Sequence, residues 1–227
     1  MIATNPMHVV TYRSASRAAA AAAALVLKHL AANPRLVIGL PTGNTPIPMY
    51  RALVRAYEQG RADFSRATTF NLDEFAGLGK GDPGSYRTFM DAEFFDHVNV
   101  SPGREHMPNG RAPDWRREVL RYERRIARAG GLDLVVLGIG ANGHVGFNEP
   151  GPALEAHTHR VALRRETRRA NAHLFGGRWQ DVPAQALSMG IGTILTAKHV
   201  VLLATGAAKA RIVARALTGP VTTQLPA

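Results

Sequence analysis

Short apolar runs alternate with helical patterns along most of the chain. VVTY (9–12) precedes a long alanine-rich helical stretch that Ser14 or Ser16 can cap. RLVIGL (35–40) leads through PTGNTP into a helix over MYRALVRAYEQG. ATTFNL (67–72) ends at Asp73-Glu74, and a Gly/Pro-rich loop then opens a helix whose apolar face is Tyr86, Phe89, Met90, Phe94 and Val98. DWRREVLRYERRIARAG (114–130) sets Trp115, Val119, Tyr122 and Ile126 on one helical stripe. LDLVVLGIG (132–140), RVAL (160–163), ALSMG (186–190) and HVVLLAT (199–205) follow, the last feeding the helical GAAKARIVARALTG. VTTQL (221–225) reads as a final extended segment.

Apolar runs bounded by glycine and separated by helices indicate right-handed crossover units. The fold class expected is α/β: a single doubly wound, mainly parallel sheet with helices on both faces, Rossmann-like, over residues 1–227. No repeat or linker divides the chain. In such sheets ligands sit outside the carboxyl ends of the strands. Polar residues just after each run are therefore the ones to inspect.

Four loops qualify, and a parallel sheet brings all four to one edge. PTGNTP (41–46) offers Thr42, Gly43, Asn44 and Thr45 ahead of a helix N-terminus, where unsatisfied N–H groups favour an anion. It lacks the lysine of a nucleotide P-loop. Locally it reads equally well as a strand–helix turn capped by Thr45. TGAAK (205–209) places Lys209, one of only four lysines in the chain, at another helix start. That suits a compact phosphate contact or an exposed helix lysine.

NLDEF (71–75) carries two adjacent carboxylates. Neighbours in an extended segment point to opposite faces, so Asp73 can face the crevice as a general base while Glu74 points elsewhere. A helix cap is the alternative. GIGANGHVGFNEPG (138–151) satisfies G-x-G-x-x-G after a strand. Yet Gly146, Pro150, Gly151 and Pro152 forbid the long helix that a dinucleotide site needs next. The glycines instead keep the loop thin enough for His144 to reach a ligand and move protons near neutral pH, with Glu149 curling back to orient it. A lone turn histidine would be structural. Convergence of four loops favours chemistry.

Composition narrows the chemistry further. Without cysteine there is no disulfide, thiolate metal site or thiol nucleophile. The alanine-rich run from Ala18 is broken by Lys28 and His29, so neither a membrane span nor a signal peptide is expected, and the cytoplasm is. Lys and Arg number 28 against 17 Asp and Glu, a formal charge of +11. No aromatic platform or nucleic-acid motif accompanies the arginine-rich helix, so its charges read as a solvated face.

Taken together, LPTGNTP (40–46), TFNLDEFAGL (69–78), SYRTFMDAEFFDHV (85–98), GIGANGHVGFNEPG and TRRANAHLF (167–175) resemble the glucosamine-6-phosphate deaminases, in order, from about Pro34 to Ala227. The related lactonases lack the FNEP continuation seen here as Phe147-Asn148-Glu149-Pro150. The resemblance implies conversion of glucosamine 6-phosphate and water to fructose 6-phosphate and ammonia, with no metal or organic cofactor. It implies Asp73 as the base at C2, His144 as the ring opener, Glu149 as its supporting carboxylate and Asn142 as a helper. Thr42, Gly43, Asn44 and Lys209 match the phosphate grip. His173 stands where the family usually has an arginine that helps hold phosphate; as a weaker, pH-dependent substitute it implies that either KM rises or Arg168 or Arg169 takes over, and it keeps galactosamine 6-phosphate open as substrate. His159 replaces an effector-site arginine, so allosteric activation by an acetylated amino sugar is not carried over. Family members also continue beyond QLPA, so a truncated or divergent end is expected. Partners expected are a small sugar phosphate, no nucleic acid and no membrane, with a homo-oligomer left open. The rival class is a non-catalytic sugar-phosphate sensor.

Overall fold

The computed structural model describes residues 7–227. In chain order its elements are α1 (Ala15–Ala32), β1 (Val37–Leu40), α2 (Ile47–Glu58), β2 (Thr68–Asn71), β3 (Asp73–Phe75), α3 (Tyr86–Glu93) and β4 (Glu105–His106). There follow α4 (Trp115–Arg128), β5 (Leu134–Leu137), β6 (His159–Ala162), α5 (Arg165–Asn171), β7 (Gln185–Ser188), α6 (Ile191–Leu195), β8 (His199–Leu202) and α7 (Ala210–Thr218). Ser14 caps α1 through Arg17 N–H, Ser85 caps α3 and Asp114 caps α4, each satisfying donors that a helix start leaves unpaired.

Five strands form a parallel sheet in the order β4-β2-β1-β5-β8. The period-two alternation of strand side chains divides its two faces. Ile38, Leu40, Leu134 and Val136 pack with α1, α2 and α3. Val37, Phe70, Val135 and Leu137 pack with Tyr122 and Ile126 of α4 and Ile194 of α6. The doubly wound expectation holds for this sheet. From β1 the chain runs outward to β2 and β4, then returns to lay β5 and β8 on the other side. The crevice between β1 and β5 is therefore the topological switch point.

Four expectations need correction. RVAL and ALSMG do not extend the parallel sheet. As β6 and β7 they pair antiparallel with each other, and β7 pairs with β3, in a second sheet of order β3-β7-β6. That sheet brings Phe75, Phe147, Leu163 and Ala186 into a core of its own beside the switch point. VVTY forms no strand: residues 9–12 are exposed and unpaired with any strand. VTTQL is a turn closed by a Thr222–Leu225 bridge, and Leu225 packs on Ile139 and Ile212. On α4, Glu118 rather than Val119 joins the buried stripe, because its carboxylate accepts Asn109 N–H at 2.7 Å and pairs with Arg121. No helix among the described residues is long and apolar enough to cross a membrane.

Candidate active site

The loops after β1, β2, β5 and β8 leave the same edge of the parallel sheet. Two buried tyrosines fix the first pair. Tyr50 of α2 donates its hydroxyl to the Pro41 carbonyl, and Tyr122 of α4 donates to the Asn71 carbonyl at 2.6 Å. Strand-end carbonyls that would otherwise lie buried and unpaired are thereby satisfied.

Asp73 opens β3 and is 5% exposed. Burial is the main force pushing its carboxyl up, to about 8. The neighbouring Glu74 charge adds to this, and hydrogen bonding from the Thr42 hydroxyl opposes it. Thr42 thus brings the loop after β1 to bear on Asp73. The loop after β5 arrives from the other side, where a methyl group on Gly146 would lie 3.5 Å from Asp73 Oδ2 and 3.2 Å from Ser188 Oγ. Ser188 faces Asp73 in the β3–β7 register and accepts Phe147 N–H at 3.0 Å.

Within that loop three side chains form a chain. Asn142 Nδ2 donates to Glu149 Oε2 at 2.8 Å, and Asn142 Oδ1 lies 2.7 Å from His144 Nδ1. Since Oδ1 can only accept, Nδ1 carries the proton and Nε2 is left as the acceptor. His144 Nδ1 is also 3.6 Å from Glu149 Oε2. Burial pushes the Glu149 carboxyl up. Hydrogen bonding from His144 and from Asn142, with attraction to His144, more than reverses this and holds it at about 2. Glu149 is thus ionised throughout the neutral range. The two acids of the site are driven in opposite directions.

Gly140 makes this arrangement fit, because any Cβ there would overlap the His144 ring. Gly140→Ala is expected to displace the imidazole and lower turnover roughly 10- to 100-fold. Steady-state rates, with ligand affinity as control, check this.

Gly43 adopts φ +90°, a left-handed conformation that favours glycine. It turns the chain into α2, whose first turn has no side-chain cap. Asn44 is exposed at the tip of this loop. Lys209 is half-buried at the start of α7, and burial lowers its ammonium below the ordinary range. α7 reaches the His144 loop through Ile212, which a methyl on Gly143 would approach to 3.3 Å.

His173 is the outlier. It is exposed, and its Nδ1 lies 3.0 Å from the Ala170 carbonyl. Arg168 does not stand free to replace it, being bonded to the Val182 and Gln180 carbonyls. Arg169 lies over Trp179 at 5.9 Å. Sequence reasoning missed Ser188 and Tyr86. Tyr86, read only as apolar, donates its hydroxyl to Asn171 Oδ1 at 3.1 Å and lies close enough to Asp73 to feel its charge. Among the described residues no three His, Asp or Glu side chains are grouped to hold a metal ion.

Asp73 also couples fold to pH. The folded protein keeps a proton that the unfolded chain, at the ordinary value of 3.8, releases. Stability from this group is complete below that value and is lost as pH rises toward 8, by at most about 1.4 kcal/mol per pH unit. Asp73→Asn lacks the titration. Its melting temperature is expected to gain on the wild type between these two values and to hold a constant lead above them, as thermal denaturation across pH will show.

Residues 11–227 match the family model described as glucosamine-6-phosphate isomerases/6-phosphogluconolactonase. The chain is 46% identical to a glucosamine-6-phosphate deaminase of Thermoanaerobacter sp. (strain X514) over 91% of its own length and 81% of that protein. To the glucosamine-6-phosphate deaminase of Halothermothrix orenii it is 47% identical, over 95% and 88%. Among solved structures, a monomeric glucosamine-6-phosphate deaminase superposes with a TM-score of 0.93 at 40% identity, over 97% of this chain and 91% of that one. The 6-phosphogluconolactonase of Thermotoga maritima, at 20% identity and a TM-score of 0.73 over 96% and 91%, shares the fold.

Proposed function

The chain belongs to the family of glucosamine-6-phosphate isomerases and 6-phosphogluconolactonases, and from that membership we propose that it is a glucosamine-6-phosphate deaminase. The reaction joins glucosamine 6-phosphate and water to give fructose 6-phosphate and ammonia, and we place it in the cytoplasm. The observation that carries the reading is the pairing of a buried, proton-retaining Asp73 with the Glu149–Asn142–His144 chain across one crevice.

The steps follow from what each group can do. The pyranose has no carbonyl beside C2, so ring opening comes first. His144 Nε2 takes the proton of the anomeric hydroxyl and returns it to the ring oxygen, breaking the C1–O bond and forming the C1 carbonyl. Ionised Asp73 then removes the C2 proton, the electron pair moves through C1 to its oxygen, and that oxygen takes a proton from the C2 ammonium to give an enolamine. Donors fixed around that oxygen are worth roughly 3–4 kcal/mol each. Asp73 gives its proton back at C1, leaving an iminium at C2. Water adds to it and ammonia leaves. A raised pKa strengthens the base for the second step.

At the far end of the sugar, the phosphate is held by the loop at Thr42, Gly43 and Asn44, by the uncapped start of α2 and by Lys209. Lys209→Ala is expected to raise KM roughly 10- to 100-fold with a smaller change in kcat, the size of one lost charge-assisted hydrogen bond. Initial rates over a range of substrate concentration read this directly. The activity itself is tested by following ammonia and fructose 6-phosphate together, with the galacto epimer in parallel. Equimolar release from the gluco substrate is expected. Sugar-phosphate binding without ammonia would identify a sensor instead.

A further inference from the structure

The reaction outlined above leaves one buried carboxylate without a task. Glu74 follows Asp73 in β3 and is 1% exposed. Its Oε1 accepts the N–H groups of Phe75 at 2.8 Å and Tyr86 at 3.0 Å. Its Oε2 accepts the Ser85 hydroxyl at 2.7 Å and Arg87 N–H at 2.9 Å. Three of these partners can only donate, and the Ser85 oxygen already accepts Arg87 N–H at 3.0 Å and Thr88 N–H at 3.4 Å, which leaves its hydroxyl proton for Glu74. The cradle is thus shaped for the ionised form, at the first turn of α3 where the helix dipole also favours a negative charge.

Among the described residues no cation pairs with this charge. The guanidinium of Arg87, whose backbone N–H it accepts, is held by Asp91 at 2.8 Å and by Glu105 at 2.5 Å. The side chains near enough to feel the Asp73 charge are Tyr50 from α2, Tyr86 from α3 and Tyr122 from α4; Thr42 opposes its rise by hydrogen bonding, and the backbone at Gly146 lies beside it. None of these is a cation. Asp73 therefore meets a buried negative charge on the next residue and nothing positive to offset it.

We propose that Glu74 is a positioning residue: its fixed charge keeps Asp73 protonated in the empty site and makes a cationic amine at C2 of the sugar the group that frees the base. The proposal rests on the deaminase reading. An ammonium arriving beside Asp73 lowers its proton affinity, the proton passes to solvent, and the carboxylate is ready for the C2–H bond. A neutral hydroxyl at C2 supplies no such field, so sugar phosphates without the amine leave Asp73 protonated. Selection then acts on charge as well as shape. Burial raises the Glu74 carboxyl above its ordinary range and the four donated bonds oppose the rise, whereas Asp73, with Thr42 alone to oppose it, goes to about 8.

The test is a carbon-13 titration of the ligand-free protein labelled in its Asp and Glu carboxyls. The wild type is expected to show Asp73 titrating near pH 8 and Glu74 already ionised while Asp73 still holds its proton. Glu74→Gln should weaken proton binding at Asp73 roughly threefold to tenfold, while Glu74→Asp stays near the wild type. In parallel, the affinity ratio of 2-amino-2-deoxyglucitol 6-phosphate over glucitol 6-phosphate should fall by a similar factor in the Gln variant. A folded Gln variant with an unchanged Asp73 titration or an unchanged ratio overturns the proposal. Should that variant fail to fold, a Glu74 that loses its proton only after Asp73 does in the wild type does the same. Ammonia release by the wild type is measured separately, so loss of the deaminase reading would show there and not in the titration.

Discussion

Asp73→Asn is expected to lower ammonia release by on the order of 100-fold or more while sugar-phosphate affinity stays within a few-fold of the wild type. Asparagine keeps the shape of the side chain and its contact with Thr42, yet offers no basic oxygen. Phosphate binding depends on other segments, the Thr42–Asn44 loop and Lys209, and does not need that oxygen. A fall in kcat without a matching rise in KM is the signature of a group that acts in the transition state. The melting curves described above serve as the control, since this variant should be more stable than the wild type at neutral pH. Inactivity through misfolding would show as the opposite.

Glu149→Gln should be comparably severe for a different reason. Glu149 Oε2 accepts from Asn142 Nδ2, which orients the Asn142 carbonyl oxygen toward His144 Nδ1. A glutamine amide can present a donor in place of that acceptor and so turn Asn142 around. Nδ1 of His144 would then face a donor, the proton would move to Nε2, and the nitrogen needed at the anomeric hydroxyl would lose its lone pair. A wrong tautomer costs about 10⁴ in a triad where a carboxylate plays the same part, and a loss of about 100-fold or more is expected here. Ring opening should then limit turnover. The primary isotope effect from deuterium at C2 should therefore shrink toward unity in this variant. Rates with protiated and deuterated substrate check both points.

The three central strands of the parallel sheet, β2, β1 and β5, were legible because they are buried on both faces and end in glycine or a polar loop, whereas the edge strand β4, Glu105–His106, is half-buried and carries no apolar run. β1 and β5 are buried at every position. The second sheet was not legible. β6 alternates between half-buried and exposed positions, and a short run of that kind carries no mark of which strand it pairs with or in which direction. VVTY and VTTQL failed for a related reason, since β-branched composition describes a residue's preference and not the presence of a partner.

Asp73, His144, Glu149 and Lys209 could be found because each closely follows a strand. Ser188 could not, because its place beside Asp73 depends on the antiparallel β3–β7 pairing. Asn142 was named as a helper only through resemblance. Its position between Glu149 and His144 is a matter of side-chain geometry that spacing does not encode. His173, picked out by alignment with a family arginine, lies exposed and bonds to its own helix. Glu118 on α4 shows the same limit in the core: a charged residue entered the buried stripe because a loop N–H and Arg121 were waiting for it.

The division of labour between His144 and Asp73 is tested most directly by measuring anomer exchange of glucosamine 6-phosphate by NMR in the presence of Asp73→Asn. With the Glu149–Asn142–His144 chain intact, that variant should interconvert the two anomers well above the spontaneous rate while releasing almost no ammonia. Anomer exchange at the spontaneous rate, or ammonia release close to that of the wild type, would contradict it.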